Sequence, residues 1–117
     1  MIDGSWTPAS AQMGGQPFPE SVLKTMSLTV ADGQYVVSVG GQLDKGTVTL
    51  DTTTSPMGMT VTGVEGPNAG RTYPAIFALS GDTLRICYDL SGQARPTAFA
   101  SSAGTMHFLA EYRRAAK

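Results

Sequence analysis

The chain has 117 residues, 41% of them apolar and 15% charged, which suits one domain with one core and excludes a disordered chain. Eight Lys and Arg against nine Asp and Glu give a formal net charge of -1. The basic residues are dispersed apart from Arg113, Arg114 and Lys117, so there is no field for a phosphate backbone, and nucleic acid is not an expected partner.

A single cysteine, Cys87, rules out an intrachain disulfide and a paired-cysteine metal site. No apolar run approaches the roughly 20 residues of a membrane helix, so no membrane span is expected. The start, Met1-Ile2-Asp3-Gly4-Ser5-Trp6, lacks a basic segment followed by an apolar stretch and does not read as a signal peptide. The expectation is a soluble protein, cytoplasmic as written or exported if a leader has been removed.

In chain order, Trp6 to Gln12 reads as a first strand. Pro19 to Thr25 reads as a short helix of a turn or two, with Pro near its start, placed to cap one end of the fold. Ser27 to Val30 is the next strand. From Gln34 to Val39 the period is two, with Tyr35, Val37 and Val39 on one face. Thr47 to Leu50 sets Val48 and Leu50 against two threonines, and Met57 to Thr62 sets Met57, Met59 and Val61 on one side. Tyr73, Ala75, Phe77 and Leu79 alternate with their neighbours, as do Leu84, Ile86 and Tyr88, and finally Met106, Phe108, Ala110 and Tyr112. Such alternation, rich in β-branched and aromatic residues, marks strands buried on one face.

Turn signals separate these runs: Ala31-Asp32-Gly33, Gly40-Gly41, Asp51 to Pro56, Gly66 to Gly70, Ser80-Gly81-Asp82 and Ser91-Gly92. About eight short strands joined by hairpins predict an all-β fold. The expected form is a small eight-stranded antiparallel up-and-down barrel, one domain over residues 1–117, whose closure removes exposed edges. Ser91 to Gly104 is its longest loop.

Few residues carry chemistry. His107, the one histidine, points opposite to Met106 and Phe108, and no G-x-S-x-G elbow accompanies it. Cys87 lies mid-strand and reads as a packing residue. One histidine and one cysteine make no closed metal site. The aspartates Asp3, Asp32, Asp44, Asp51, Asp82 and Asp89 sit mostly at turns and read as caps of backbone amides. No catalytic residue, metal or cofactor is assigned. Trp6 is expected to plug one end of the barrel, with Arg113 or Arg114 beside the indole. Arg95, before Pro96 in the long loop, is expected to tie down carbonyls or a turn carboxylate such as Asp82 or Asp89, or else to anchor a ligand at the mouth.

Alternation predicts an interior of Tyr35, Val37, Val48, Leu50, Met57, Met59, Val61, Phe77, Leu79, Leu84, Ile86, Tyr88, Met106 and Phe108. It is expected to be mostly filled, with a shallow apolar pocket away from Trp6 bordered by Tyr35, Met57 and Tyr88.

Gly4-Ser5-Trp6 at the start and the arginine pair at the end resemble the lipocalin signature of the calycin superfamily. Over nearly its full length the chain resembles a lipocalin-like bacterial domain family of unknown function, many-membered in planctomycetes. The resemblance runs through Gly14-Gly15-Gln16-Pro17, Lys45-Gly46-Thr47 and the stretch Gly63 to Thr72. It continues in Ile76 to Tyr88, which includes Gly81-Asp82-Thr83-Leu84, in Gln93 to Phe99 with its Arg95-Pro96-Thr97, and in Tyr112-Arg113-Arg114. That family usually has Glu where Ala94 and Ala98 stand here. The resemblance implies the barrel and no activity.

The functional expectation is a non-enzymatic binding module for a small apolar molecule, held by Tyr35, Met57, Met59, Phe77, Tyr88, Phe108 and Arg95. A protein-interaction module with a filled barrel, of immunity or inhibitor type, is the alternative. A small hydrolase or isomerase stands third. Oligomeric state is left open.

Overall fold

Tight turns between alternating strands favour pairing with the strand before and the strand after, and the long strands of this chain pair in that way throughout. The computed structural model describes residues 2–115; Met1, Ala116 and Lys117, the last member of the basic cluster, lie outside the described residues. The elements are β1 (Gly4–Met13), β2 (Gln16–Pro17), α1 (Glu20–Leu23), β3 (Met26–Ala31), β4 (Gln34–Val39), β5 (Gln42–Asp51), β6 (Met57–Glu65), β7 (Thr72–Ser80), β8 (Thr83–Asp89) and β9 (His107–Arg114).

All strand pairs are antiparallel, in the order β1-β3-β4-β5-β6-β7-β8-β9, and β9 pairs back with β1. The fold is therefore an all-β, eight-stranded closed up-and-down barrel, with the two-residue β2 as an extra strand on β1. The β3–β4 hairpin turns on Asp32-Gly33 at φ 53° and 75°, and the β4–β5 hairpin on Gly40-Gly41 at 58° and 87°. Paired positive φ values are those of the two-residue turns that match strand twist.

One end of the barrel holds the start of β1, the β3–β4, β5–β6 and β7–β8 turns, and the end of β9. Trp6 sits there at 0% exposure, packed in one cluster with Phe77, Leu84, Ile86, Ala110 and Tyr112. The other end, the mouth, is ringed by β2, α1, the β4–β5 hairpin, the β6–β7 loop and the long β8–β9 loop.

Several local expectations need correction. A bulge at Pro8/Ser10 interrupts the β1–β9 register. It moves the buried positions of β1 from even to odd numbers, from Trp6 to Ala11, which a strict period of two cannot express. The helix is only Glu20–Leu23, with Pro19 as its N-cap, and it is Phe18 before it that reaches the mouth. Met106 is not interior. It lies before β9 begins and is 53% exposed, because the pleat that would turn it inward starts only at His107.

The outer face also departs from simple alternation. Ile76 and Cys87 point away from the barrel cluster yet are 1% and 0% exposed. The β8–β9 loop lies over them as a strap, with Cys87 Sγ 3.4 Å from the Ala100 carbonyl and the Arg85 guanidinium 4.6 Å over the Phe99 ring.

Candidate functional site

The barrel interior holds a cavity of about 280 Å³. Leu28, Val30, Val37, Val48, Met59, Val61 and Ile86 form its apolar wall, and Ile2, folded under the closed end, belongs to its lining too. At the rim Phe18 stacks on Phe108, with ring centroids 5.5 Å apart. Phe108 in turn stacks on Tyr88 at 5.6 Å.

Polar groups converge on one side of this wall. Asp44 occupies an inward position of β5, opposite Val37 of β4. The β6–β7 loop bends over the mouth, where Ala69 bridges to Gly63. A Cβ on Gly63 would collide with the Asn68 carbonyl, so glycine there lets the loop come this close. Asn68 Nδ2 donates to Asp44 Oδ2 at 2.6 Å, and the Tyr73 hydroxyl donates to Asn68 Oδ1 at 2.9 Å. Asp44 Oδ1 is buried and has no hydrogen-bond donor among the described residues.

Three tyrosines titrate high around this group. Burial first, then the charge of Asp44 and the nearby Tyr73, pushes Tyr35 up to about 12. Burial does the same to Tyr112, also to about 12. Tyr88 is raised well above the usual tyrosine value, by burial first and then by Tyr112, Tyr35 and Asp44. All three hydroxyls stay protonated at neutral pH. They are hydrogen-bonding groups in an apolar setting, not bases.

Among the residues expected to hold a ligand, Tyr35, Met59, Tyr88 and Phe108 do line the cavity. Met57 and Phe77 do not. They face each other across β6 and β7 at the closed end, where β6 begins, and pack into the core. The expected border of Tyr35, Met57 and Tyr88 is corrected accordingly.

Arg95 lies outside the barrel, away from the cavity. Its Nη1 donates to the carbonyls of Met59 at 2.9 Å and Ala75 at 2.7 Å, residues opposite each other on β6 and β7. That is a tie-down of carbonyls, and it removes Arg95 from the mouth. Ala94 and Ala98 are both exposed. The Ala94 amide, with those of Ser91 and Gln93 and the Ser91 hydroxyl, donates to the Asp89 carboxylate. Burial alone would raise the Asp89 carboxyl, but these hydrogen bonds outweigh it and hold it below the usual range.

At the closed end, Arg114 is the arginine over the indole, its Cζ 4.3 Å from the ring centroid. Arg113 sits one residue out of phase, opposite Thr7 and Thr83, and is exposed. The Cys87 thiol is pushed up mainly by burial, the reverse of an activated nucleophile. His107 is half-buried at the start of β9, on the loop side, and does not line the cavity. Among the described residues no three His, Cys, Asp or Glu side chains gather as a metal site would require.

The sequence reading missed Asp44, Asn68, Tyr73, Tyr112 and Phe18 as cavity residues. Asp44 was read as a turn cap, although its phase with Gly46, Val48 and Leu50 places an acid on the inner face. Asn68 offered no such sign, because only the fold of its loop turns it inward. No family model, curated protein or solved structure matches the chain.

Proposed function

We propose that the protein is a non-enzymatic binding module whose barrel receives a small, mostly apolar molecule through the mouth. One observation carries this reading: an apolar-walled cavity of about 280 Å³ inside the barrel. Its size lies just below the range of ~300–1,000 Å³ typical of small-molecule sites. A void of ~150 Å³ already accepts a benzene ring, so the occupant is of the order of one or two rings with a short chain. The exposed large apolar residues Val39, Leu43, Val64 and Met106 all lie at the mouth end, an apolar rim that supports the same use. The likeness of Gly4-Ser5-Trp6 and Arg114 to the lipocalin signature also supports it.

The test is a titration with prodan, a small neutral fluorophore that brightens in apolar surroundings. Saturable binding by the wild type is expected. Val48, half-buried in the cavity wall, is the residue to enlarge. Val48→Trp should abolish binding while costing no more than ~1–3 kcal/mol of stability. If the folded wild type shows no saturable binding, recognition of a protein partner through the outer surface becomes the better reading.

A further inference from the structure

Asp44 is the one charged side chain on the cavity wall among the described residues; no Lys, Arg or His lines it. One carboxylate oxygen, Oδ2, is partnered by Asn68, and Oδ1 is buried without a donor. The surrounding hydrogen bonds are already directed. Tyr73 gives its proton to Asn68, and Asn68 gives one of its two amide protons to Oδ2, while no donor among the described residues reaches Oδ1. A buried carboxylate oxygen without a donor is costly, and a cation beside the same carboxylate offsets that cost. The rest of the setting is aromatic: Tyr35, Tyr73 and Tyr88 share the wall with Asp44, and ring faces attract cations. An anionic head would instead meet the Asp44 charge with no cation to offset it.

We propose that the occupant of the cavity is a small apolar amine, a ring or short chain bearing a protonated ammonium held against the Asp44 carboxylate among the tyrosine rings. This rests on the cavity being a binding site and goes further in naming the head group. A fatty acid or other carboxylate of the same size is then a poor ligand, and a neutral alcohol an intermediate one. Asp44 sets the sign of the charge the site accepts, and the aliphatic wall sets the size of the body.

The experiment is calorimetric titration of the full chain at neutral pH with three ligands that share one ring: phenethylamine, phenethyl alcohol and hydrocinnamate. The amine should bind at least roughly tenfold tighter than the alcohol, the difference a charge-assisted hydrogen bond makes, and hydrocinnamate should bind most weakly. In Asp44→Asn, which can still accept from Asn68, the amine and the alcohol should become equal while prodan binding persists. If prodan binds but the amine shows no advantage over the alcohol, the head-group assignment is overturned and the cavity reading stands. The same holds if the advantage survives in Asp44→Asn. If neither prodan nor any of the three binds, both fall together. Should Asp44→Asn fail to fold, the wild-type ratio of amine to alcohol decides alone.

Discussion

Trp6 joins three parts of the chain at the closed end. Its indole N–H donates to the Ile2 carbonyl at 3.0 Å, which holds the N-terminal segment under the barrel. Arg114 covers the ring and donates to the Asp3 carbonyl at 3.0 Å. Its ion pair with Asp82, 3.4 Å from an aspartate side chain that is 85% exposed, adds little, because solvent screens it. Register explains why Arg114 and not Arg113 does this. Arg114 is the direct partner of Trp6 across β1 and β9, and successive strand residues face opposite sides. Trp6→Ala should lose ~3–5 kcal/mol, the range for large buried aromatics. Arg114→Ala should lose ~1–2 kcal/mol, from a part-exposed cation–ring contact and one hydrogen bond. Urea unfolding followed by circular dichroism measures both. Equal losses for the two variants would mean that the arginine, not the indole, organises this end.

The β8–β9 loop behaves as an element in its own right, although it has no regular structure. A row of outward positions, Gly58–Ile76–Cys87–Leu109, runs across β6, β7, β8 and β9, and the loop buries its centre. Asp89 anchors the loop's start through four donors, and Arg95 clamps its middle onto the β6–β7 carbonyls. The end is held by Ser101, whose hydroxyl donates to the His107 carbonyl at 2.8 Å and accepts from the Gly15 amide at 3.0 Å. Gly58 leaves the space for Arg95: a Cβ there would sit 2.7 Å from Nη1. Arg95→Ala should therefore remove the two hydrogen bonds at ~1–3 kcal/mol, and Gly58→Ala should displace the same guanidinium at a smaller cost, since its flexible tip can shift. The double variant should cost no more than Arg95→Ala alone, since the sites share one interaction. Both should speed the reaction of Cys87 with a thiol reagent by lifting the strap. Additive costs with unchanged Cys87 reactivity would show that the clamp does not hold the strap down.

For the whole molecule, the buried tyrosines set the alkaline limit. Tyr35 and Tyr112 titrate near 12 when folded against ~10 in an unfolded chain, and Tyr88 is shifted in the same direction. Above pH ~10 the unfolded chain therefore releases protons that the barrel retains, and stability falls as pH rises. Stability from these groups is fully present below pH ~10 and should be lost as pH climbs toward ~12. Tyrosinate absorbance and loss of β circular dichroism should appear together, as one cooperative transition. Tyrosinate signal from Tyr35 and Tyr112 well before unfolding would contradict their burial. The barrel itself was legible along the chain, because period-two alternation and turn residues are local, and a meander of such strands closes by pairing each with its neighbours. Trp6 and the inner phase of β4 through β8 were legible for the same reason. What lies across the barrel was not. Whether the interior is filled or hollow depends on how opposite walls meet, so Met57 and Phe77 fall into the packed end while Met59 faces the cavity. The inward turn of Asn68 onto Asp44, and the burial of Ile76 and Cys87 on the outer face, come from loops folding over distant strands. No local pattern in the chain encodes those contacts, and only the closed tertiary structure decides them.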